Sequence, residues 1–349
     1  MKPSTWWRSW VEFTSEREDG ATLALMRVLF GVIACVSMLE TLAYGVLDVA
    51  FVGQAYGGAF DVSPNWLVTL LGGPTPRVVH GLAIAAAVGG LLVAAGVGGR
   101  LTPLLTLWFY RAVTQLNGQS SGGYDPLLTN ALWLLFLGNA ACAYSVDGLL
   151  RERARRSGER PWHRWVFGRD GQTLTIVRRL AVLQILVVYF STGLQKMSPV
   201  WTPAGGYSAL YWVFQEPTWR HVDLTWTAKV YPLTQIATAV TWHWELGAGL
   251  MFPYLWLRHT AERGGRLRRL AKRFDLRKPF LGTGIALHLG ILMLLSVGPF
   301  SFVTVSFYPA FYRPDEVRAA LRALARRSSG ILGRWNDSRQ AVGSPPKQP

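Results

Sequence analysis

A chain of 349 residues that is 50% hydrophobic, with 16 Trp, 16 Phe and 12 Tyr, does not have the make-up of a soluble domain. Charged residues are only 16% of it, against about a quarter in soluble proteins. The net charge of +16 would suit a nucleic-acid binder, but the Lys and Arg gather in segments that flank apolar stretches, which excludes nucleic acid as the expected partner.

Apolar runs long enough to cross a bilayer recur along the chain, which predicts an all-α, polytopic transmembrane bundle of about seven to eight spans. Residues 1–22 read as an amphipathic arm, with Trp6, Trp7, Trp10 and Arg8 suited to a membrane surface, and without the cleavage pattern of a signal peptide. Residues 23–312 read as the transmembrane domain and residues 313–349 as a basic tail, polar and Pro-rich at its end. The first span is expected over residues 23–43, with Arg27 one turn inside and Glu40 near the far end. These two are too far apart to pair, so partners from other helices are expected.

A loop rich in Gly, Pro and aromatic residues (44–76) precedes a second span over 78–97, whose Ala and Gly suit close helix contact in lipid. The third span, 101–116, carries Arg111, a cation that is costly in a membrane unless paired or facing a cavity. The polar loop NGQSSGGYD (117–125) ends in Tyr124 and Asp125 before a fourth span over 126–143. Asp125 reads either as a residue lining an outer cavity or as the start of that helix, with Pro126 at its first position. Cys35 and Cys142 both fall in apolar segments and read as small core residues.

An arginine-rich run (151–179) leads into the fifth span, 174–194, and the longest loop follows at 196–229, with an interfacial aromatic helix near 207–214. The sixth span, 230–257, contains Trp242-His243-Trp244-Glu245; Glu245 is expected to pair with Arg111 or Arg27 across the bundle. A second basic loop (258–278) precedes a last apolar region, 280–308, broken by Gly298-Pro299 into a span and a kinked or re-entrant piece. The basic loops predict a cytoplasmic N-terminus in a multi-pass cell-membrane protein, with 196–229 outside. The tail is ambiguous: seven spans would put it outside, whereas its arginines favour the inside, which requires residues 300–312 to return.

No phosphate-binding loop, paired-cysteine metal site or zinc-protease motif is present, and no metal is expected. The stretch YFSTGLQKMSPVW (189–201) stands out. On a helix Tyr189, Gly193 and Lys196 share one face, and Gly193 lets another backbone or a flat ligand come close to the lysine. Pro199 ends the helix and Trp201 suits the membrane–water boundary. Taken alone, Lys196 reads as a snorkelling anchor.

Four blocks in order, LALMRVLFG (23–31), YSVDGLL (144–150), YFSTGLQKMSPVW, and His288 to Val303 followed by Pro314-Asp315-Glu316, together resemble the vitamin K-dependent γ-carboxylase and its bacterial relatives, the HTTM-domain membrane proteins. The resemblance implies that Lys196 is a base acting on reduced vitamin K, a menaquinol-type quinone reached from the bilayer, and that His288 is a second functional group facing the bundle interior. The residues expected around them are Tyr189, Gly193, Trp201, Asp125, Tyr124, Glu245 and Arg111. Implied partners are membrane lipid or quinone and a protein or peptide substrate. Where the animal carboxylases carry Asn-His this sequence has Gly122-Gly123-Tyr124-Asp125, and Gln195 replaces a second lysine. Their large extramembrane domain has no counterpart before the basic tail, so glutamate carboxylation is not expected of this chain alone. The alternatives are a non-catalytic membrane component serving secreted-peptide maturation or a partner complex, and a transporter, which the lack of visible repeats disfavours.

Overall fold

The computed structural model describes residues 3–120, 122–157 and 171–326. The middle of the first basic loop and the tail beyond residue 326 lie outside the described residues.

The described chain is mostly helical. Its helices are α1 (Pro3–Ser15), α2 (Ala21–Ala43), α3 (Pro76–Ala95), α4 (Leu101–Thr114), α5 (Tyr124–Gly138), α6 (Val146–Arg156), α7 (Thr175–Gln195), α8 (Ala209–Gln215), α9 (Tyr231–His259), α10 (Arg266–Arg273), α11 (Arg277–Leu294) and α12 (Phe300–Val305). Three of them, α2, α3 and α7, are long and apolar enough to cross a membrane. At 14 and 15 residues, α4 and α5 are shorter than the roughly 20 residues that a full crossing takes.

Local chemistry sets the boundaries. The Thr75 hydroxyl caps α3 by accepting from Val78 N, Pro76 opens the helix, and Gly96 ends it in the left-handed region at φ +72°. The Ser145 hydroxyl accepts from Gly148 N at 2.9 Å and starts α6. The expected aromatic helix in the long loop is α8, which starts two residues later than the sequence suggested.

Successive long helices alternate between two ends of the bundle. One end is basic. There β1 (Arg17–Asp19) pairs antiparallel with β2 (Gln172–Leu174), tying the start of α2 to the start of α7. Arg178 reinforces this with a two-pronged pair to Glu18 (2.7 and 2.8 Å), and Arg179 pairs with Glu16. The Thr173 hydroxyl donates to Gly138 O at 2.6 Å, which brings the end of α5 to the same place. At the opposite end, Asn117 donates to Ala50 O (2.9 Å), Gln235 to Gly206 O (2.6 Å) and Ser296 N to Trp219 O (2.8 Å).

The last apolar region settles where the first part of the tail lies. After α11 the chain turns at Gly298 (φ +59°), and α12 with the Tyr308–Phe311 turn runs back along α11. Ser301 Oγ lies 3.4 Å from His288 Nδ1, and Phe311 O accepts from Arg277 Nη1 at 2.9 Å. Residues 313–318 therefore arrive at the basic end, where Arg277 bonds Glu316 (2.7 and 3.0 Å) and Arg318 meets Asp19 at 3.1 Å.

In lipid there is no hydrophobic drive between helices, so close packing has to supply the contact energy. The tightest crossing is α2 on α3. A β-carbon on Gly90 would stand 2.6 Å from Cys35 N and Gly31 O, and one on Gly31 would stand 2.5 Å from Ala94 N. Backbone cannot yield as a side chain can. Gly90→Ala is therefore expected to force α2 and α3 apart and to cost about 1–3 kcal/mol, the usual penalty of overpacking. Thermal unfolding in detergent, with Gly247→Ala as the control because its β-carbon would meet open space, checks this.

Asp275 yields a second prediction. Two Arg277 hydrogen bonds, 2.8 Å each, hold its carboxyl below the ordinary aspartate range. A carboxylate depressed in the folded state stabilises the fold fully above its unfolded pKa, and this contribution is lost as pH falls through the lower folded value. Melting temperature should drop below about pH 4. Asp275→Asn should be less stable than wild type at neutral pH and show a shallower acid drop.

Candidate functional site

Helix α7 ends at Gln195, and Lys196 leaves helical geometry at ψ 63°. Pro199 starts a short turn that swings the Trp201 ring back over the lysine, with Nζ 4.5 Å from the ring centroid. The same ammonium bonds both carboxylate oxygens of Glu245 on α9. Both side chains are largely buried, 17% and 10% exposed.

Gly193 makes this pair possible. A β-carbon there would be 3.0 Å from both Glu245 Cβ and Leu246 N, so α9 approaches α7 only because the position has no side chain. The Trp242 indole donates to Gly193 O at 3.2 Å and fixes the approach. The neighbour that the missing side chain admits is thus a helix backbone.

The pairing corrects the expectation that Glu245 would meet Arg111 or Arg27. Arg27 sits near the basic end and donates to three carbonyls, Ala140, Ala143 and Tyr144, at 3.1, 3.3 and 2.7 Å. Arg111 Nε and Nη2 lie 2.9 and 3.0 Å from the side-chain amide of Gln115 on the next turn. Glu245 projects toward the end of α7, where neither arginine reaches.

Two turns before the lysine, the Tyr189 hydroxyl lies between His288 Nε2 (2.9 Å) and the Tyr308 hydroxyl (2.8 Å). Each of these groups can donate or accept, so the proton order along the row is free to invert. Tyr189 packs edge-on against Trp244 (4.4 Å between centroids), which stacks on Phe280 (4.9 Å) and donates to Phe280 O at 2.8 Å. Trp244 immediately precedes Glu245 on α9, so the turn of α9 that carries the carboxylate packs against Tyr189. Two polar groups thus lie two turns apart along α7: the Lys196–Glu245 pair, with Trp201 and Gly193 beside it, and the Tyr189–His288–Tyr308 row.

Asp125 and Tyr124 form a different cluster. Asp125 is buried, its oxygens accepting from the Tyr110 hydroxyl at 2.5 Å and from Gly122 N at 2.8 Å. It lies in the first turn of α5. The Tyr124 ring lies over Gly298, where a β-carbon would stand 3.1 Å away, and so it braces the turn that leads to Ser301. Tyr308 and Tyr110 are the residues that sequence reasoning missed. Both are tyrosines near the ends of apolar segments, a placement that in sequence signals only an interfacial ring.

The family model described as "HTTM domain" matches residues 16–253. The chain belongs to the HTTM family. It is accordingly a membrane protein of the vitamin K-dependent carboxylase-related group. The matched region contains Lys196, Glu245, Tyr189, Gly193, Trp201, Tyr124, Asp125 and Arg111, and it ends before His288 and Tyr308. No solved structure matches this HTTM protein.

An unpaired buried charge is costly, whereas an apolar pair of similar volume is often tolerated. In this HTTM protein Lys196→Met alone should strand Glu245 and cost about 3–5 kcal/mol. Lys196→Met with Glu245→Leu should recover most of that loss. Thermal unfolding of the purified single and double variants measures both.

Proposed function

We propose that this HTTM protein is a membrane enzyme with carboxylase-like proton chemistry, acting on a reduced, menaquinol-type quinone with Lys196 as the base. The observation that carries this reading is the buried Lys196–Glu245 pair, with the Tyr189–His288–Tyr308 row two turns away along α7. In this reading α2, α3, α4, α5, α7, α9 and α11 all enter the bilayer, with residues 300–311 returning beside them. The basic end is cytoplasmic, as the positive-inside rule requires, which puts the N-terminus inside and Lys196 near the outer face of the cell membrane.

The ion pair bears directly on the chemistry. An ammonium cannot act as a base. In a site poor in water, moving a proton from Lys196 Nζ to the Glu245 carboxylate removes two charges at once and relieves the desolvation that both suffer. The amine so formed can take a phenolic proton, and the new ammonium then sits beside the charge it has created. A bound hydroquinone would supply that acidic O–H and the electrons for reaction with oxygen. The Trp201 ring over Lys196 and the Trp242 ring beside Gly193 offer flat apolar faces suited to such a ring. Tyr189, Tyr308 and His288 provide a second proton-carrying group on the inner side.

The test separates chemistry from structure. Lys196→Gln combined with Glu245→Gln keeps polar groups in place and strands no charge. Protein purified in mild detergent would be analysed by mass spectrometry for bound quinone and assayed for quinol turnover. Wild type should retain quinone, and the double variant should keep its melting temperature but lose turnover by about a hundredfold or more, the scale of a general base. A folded double variant with unchanged turnover rejects the enzyme reading. It would favour a membrane component that handles a secreted peptide, recognised by stable co-purification of a partner.

A further inference from the structure

Between α9 and α11, at the basic end, the eight residues of α10 (Arg266–Arg273) include five cations and no acid. Its apolar residues fall three and four apart: Leu267, Leu270 and Ala271, with Phe274 just past the end, which places them on one face. Ala271 is buried and belongs to the core of the bundle. Leu267, by contrast, is 66% exposed, Leu270 53% and Phe274 52%. Single exposed leucines are ordinary on a protein surface, but three large apolar side chains on one face mark a contact surface.

The helix is held firmly with that stripe outward. Arg258 of α9 donates to Ala271 O at 3.1 Å and to Lys272 O at 3.4 Å. The Tyr254 hydroxyl donates to Phe274 O and accepts from Leu276 N, at 3.0 Å each. These bonds serve backbone groups at the end of α10 that no helical partner reaches. Arg268 turns back to the Thr260 hydroxyl (3.0 Å), and Lys272 lies 3.7 Å from Glu262. Arg266, Arg269 and Arg273 are exposed, and among the described residues no carboxylate pairs with them. Arg273 stands over the Phe274 ring, 5.5 Å from its centroid, so cation and apolar stripe adjoin. Near the end of α9 the Trp256 ring is also exposed, the kind of ring that collects at a membrane–water boundary.

We propose that α10 is a contact for an anionic lipid surface: Leu267, Leu270 and Phe274 enter the boundary between headgroups and acyl chains, and Arg266, Arg269 and Arg273 lie among the lipid phosphates. Cationic amphipathic helices bind in this way, with burial of apolar area and attraction to anionic lipid adding together. Arginine stems can cover apolar surface while their charged ends stay in the headgroups. The inference rests on the bundle placement given above, with α9 and α11 in the bilayer and the basic end cytoplasmic, and not on the lysine chemistry. The cytoplasmic leaflet is the one whose surface is negative. A protein covering the stripe would have to bring acidic groups to three unpaired guanidiniums as well as an apolar face. The adjoining lipid surface presents both.

The experiment uses the full-length protein in vesicles of phosphatidylcholine alone or mixed with phosphatidylglycerol, with one fluorophore on an introduced cysteine. Cys35 and Cys142 are buried, and unmodified protein sets the labelling background. Leu270→Cys probes the stripe and Lys272→Cys the opposite face, while Ile285→Cys, exposed midway along α11, reports whether that helix spans. With phosphatidylglycerol present, a nitroxide near the headgroups should quench the label at 270 at least about fivefold more than in phosphatidylcholine alone, the scale of one basic residue at an anionic surface. The label at 272 should stay open to an aqueous quencher in both lipids, and a nitroxide deep in the acyl chains should quench the label at 285 in both. Arg266→Gln, Arg269→Gln and Arg273→Gln together should remove the difference between the lipids at 270 without changing the melting temperature. A label at 270 that stays open to the aqueous quencher, or that is quenched equally in both lipids, overturns the proposal. One shielded from both quenchers overturns it in favour of a protein partner or a second copy. Absence of quenching at 285 overturns the bundle placement and this inference with it, whereas failure at 270 alone leaves the proposed function standing.

Discussion

The structure depends on one constraint: inside a bilayer, every backbone group freed at a helix end and every charge must find its partner within the protein. The chain meets this at its basic end with arginines. Arg27 holds the carbonyls of Ala140, Ala143 and Tyr144, Arg151 those of Ala141 and Cys142, Arg178 that of Ala310, and Arg277 that of Phe311. Each of these carbonyls belongs to an irregular or helix-terminal segment that no regular hydrogen-bond ladder serves. A planar group with five donors can bridge several such acceptors, which a lysine cannot do with the same geometry. The arginines that mark topology in the sequence thus also stitch the helix ends together.

Against that pattern the Lys196–Glu245 pair is an exception. It uses a lysine, it satisfies no carbonyl among the hydrogen bonds described for it, and it sits two turns from a row of hydroxyl and imidazole groups. A purely structural pair would be better served by an arginine, whose charge is fixed and whose fork fits a carboxylate. A lysine can give up its proton. The choice of residue at this position therefore suits the proposed proton chemistry in a way that the arginines at the other end do not.

The helix order, the helix-breaking Pro199 and the close approach at Gly193 were legible in the sequence, because each rests on local pattern: apolar length, a missing N–H, a missing side chain. The partner of Glu245 was not. Which cation meets a mid-span carboxylate depends on the relative height of α9 and α7, and that height is set by the Gly193 contact and the Trp242 bond together. Tyr308 escaped notice for a related reason. Its value comes from residues 300–311 folding back along α11, which the Gly298-Pro299 break allows without dictating. The same return brings the 313–318 segment to the basic end, a placement that span counting alone left undecided.

The family match covers the lysine, the glutamate and Tyr189, whereas His288 and Tyr308 come from the segments that follow it. The ion pair and the histidine row therefore draw on two parts of the chain. The helices inside the matched region can form the ion pair by themselves, since Gly193, Glu245, Trp242 and Trp201 all lie there. The histidine row needs α11 and the returning strand of chain, braced by Tyr124 over Gly298 and by Arg277 on Phe311 O. This divides the labour physically. The first part sets where a charge can be held at the end of α7, and the second sets how polar the interior is beside it. A related chain with the same lysine and glutamate but a different C-terminal return would keep the ion pair and change the polar groups that lie below it.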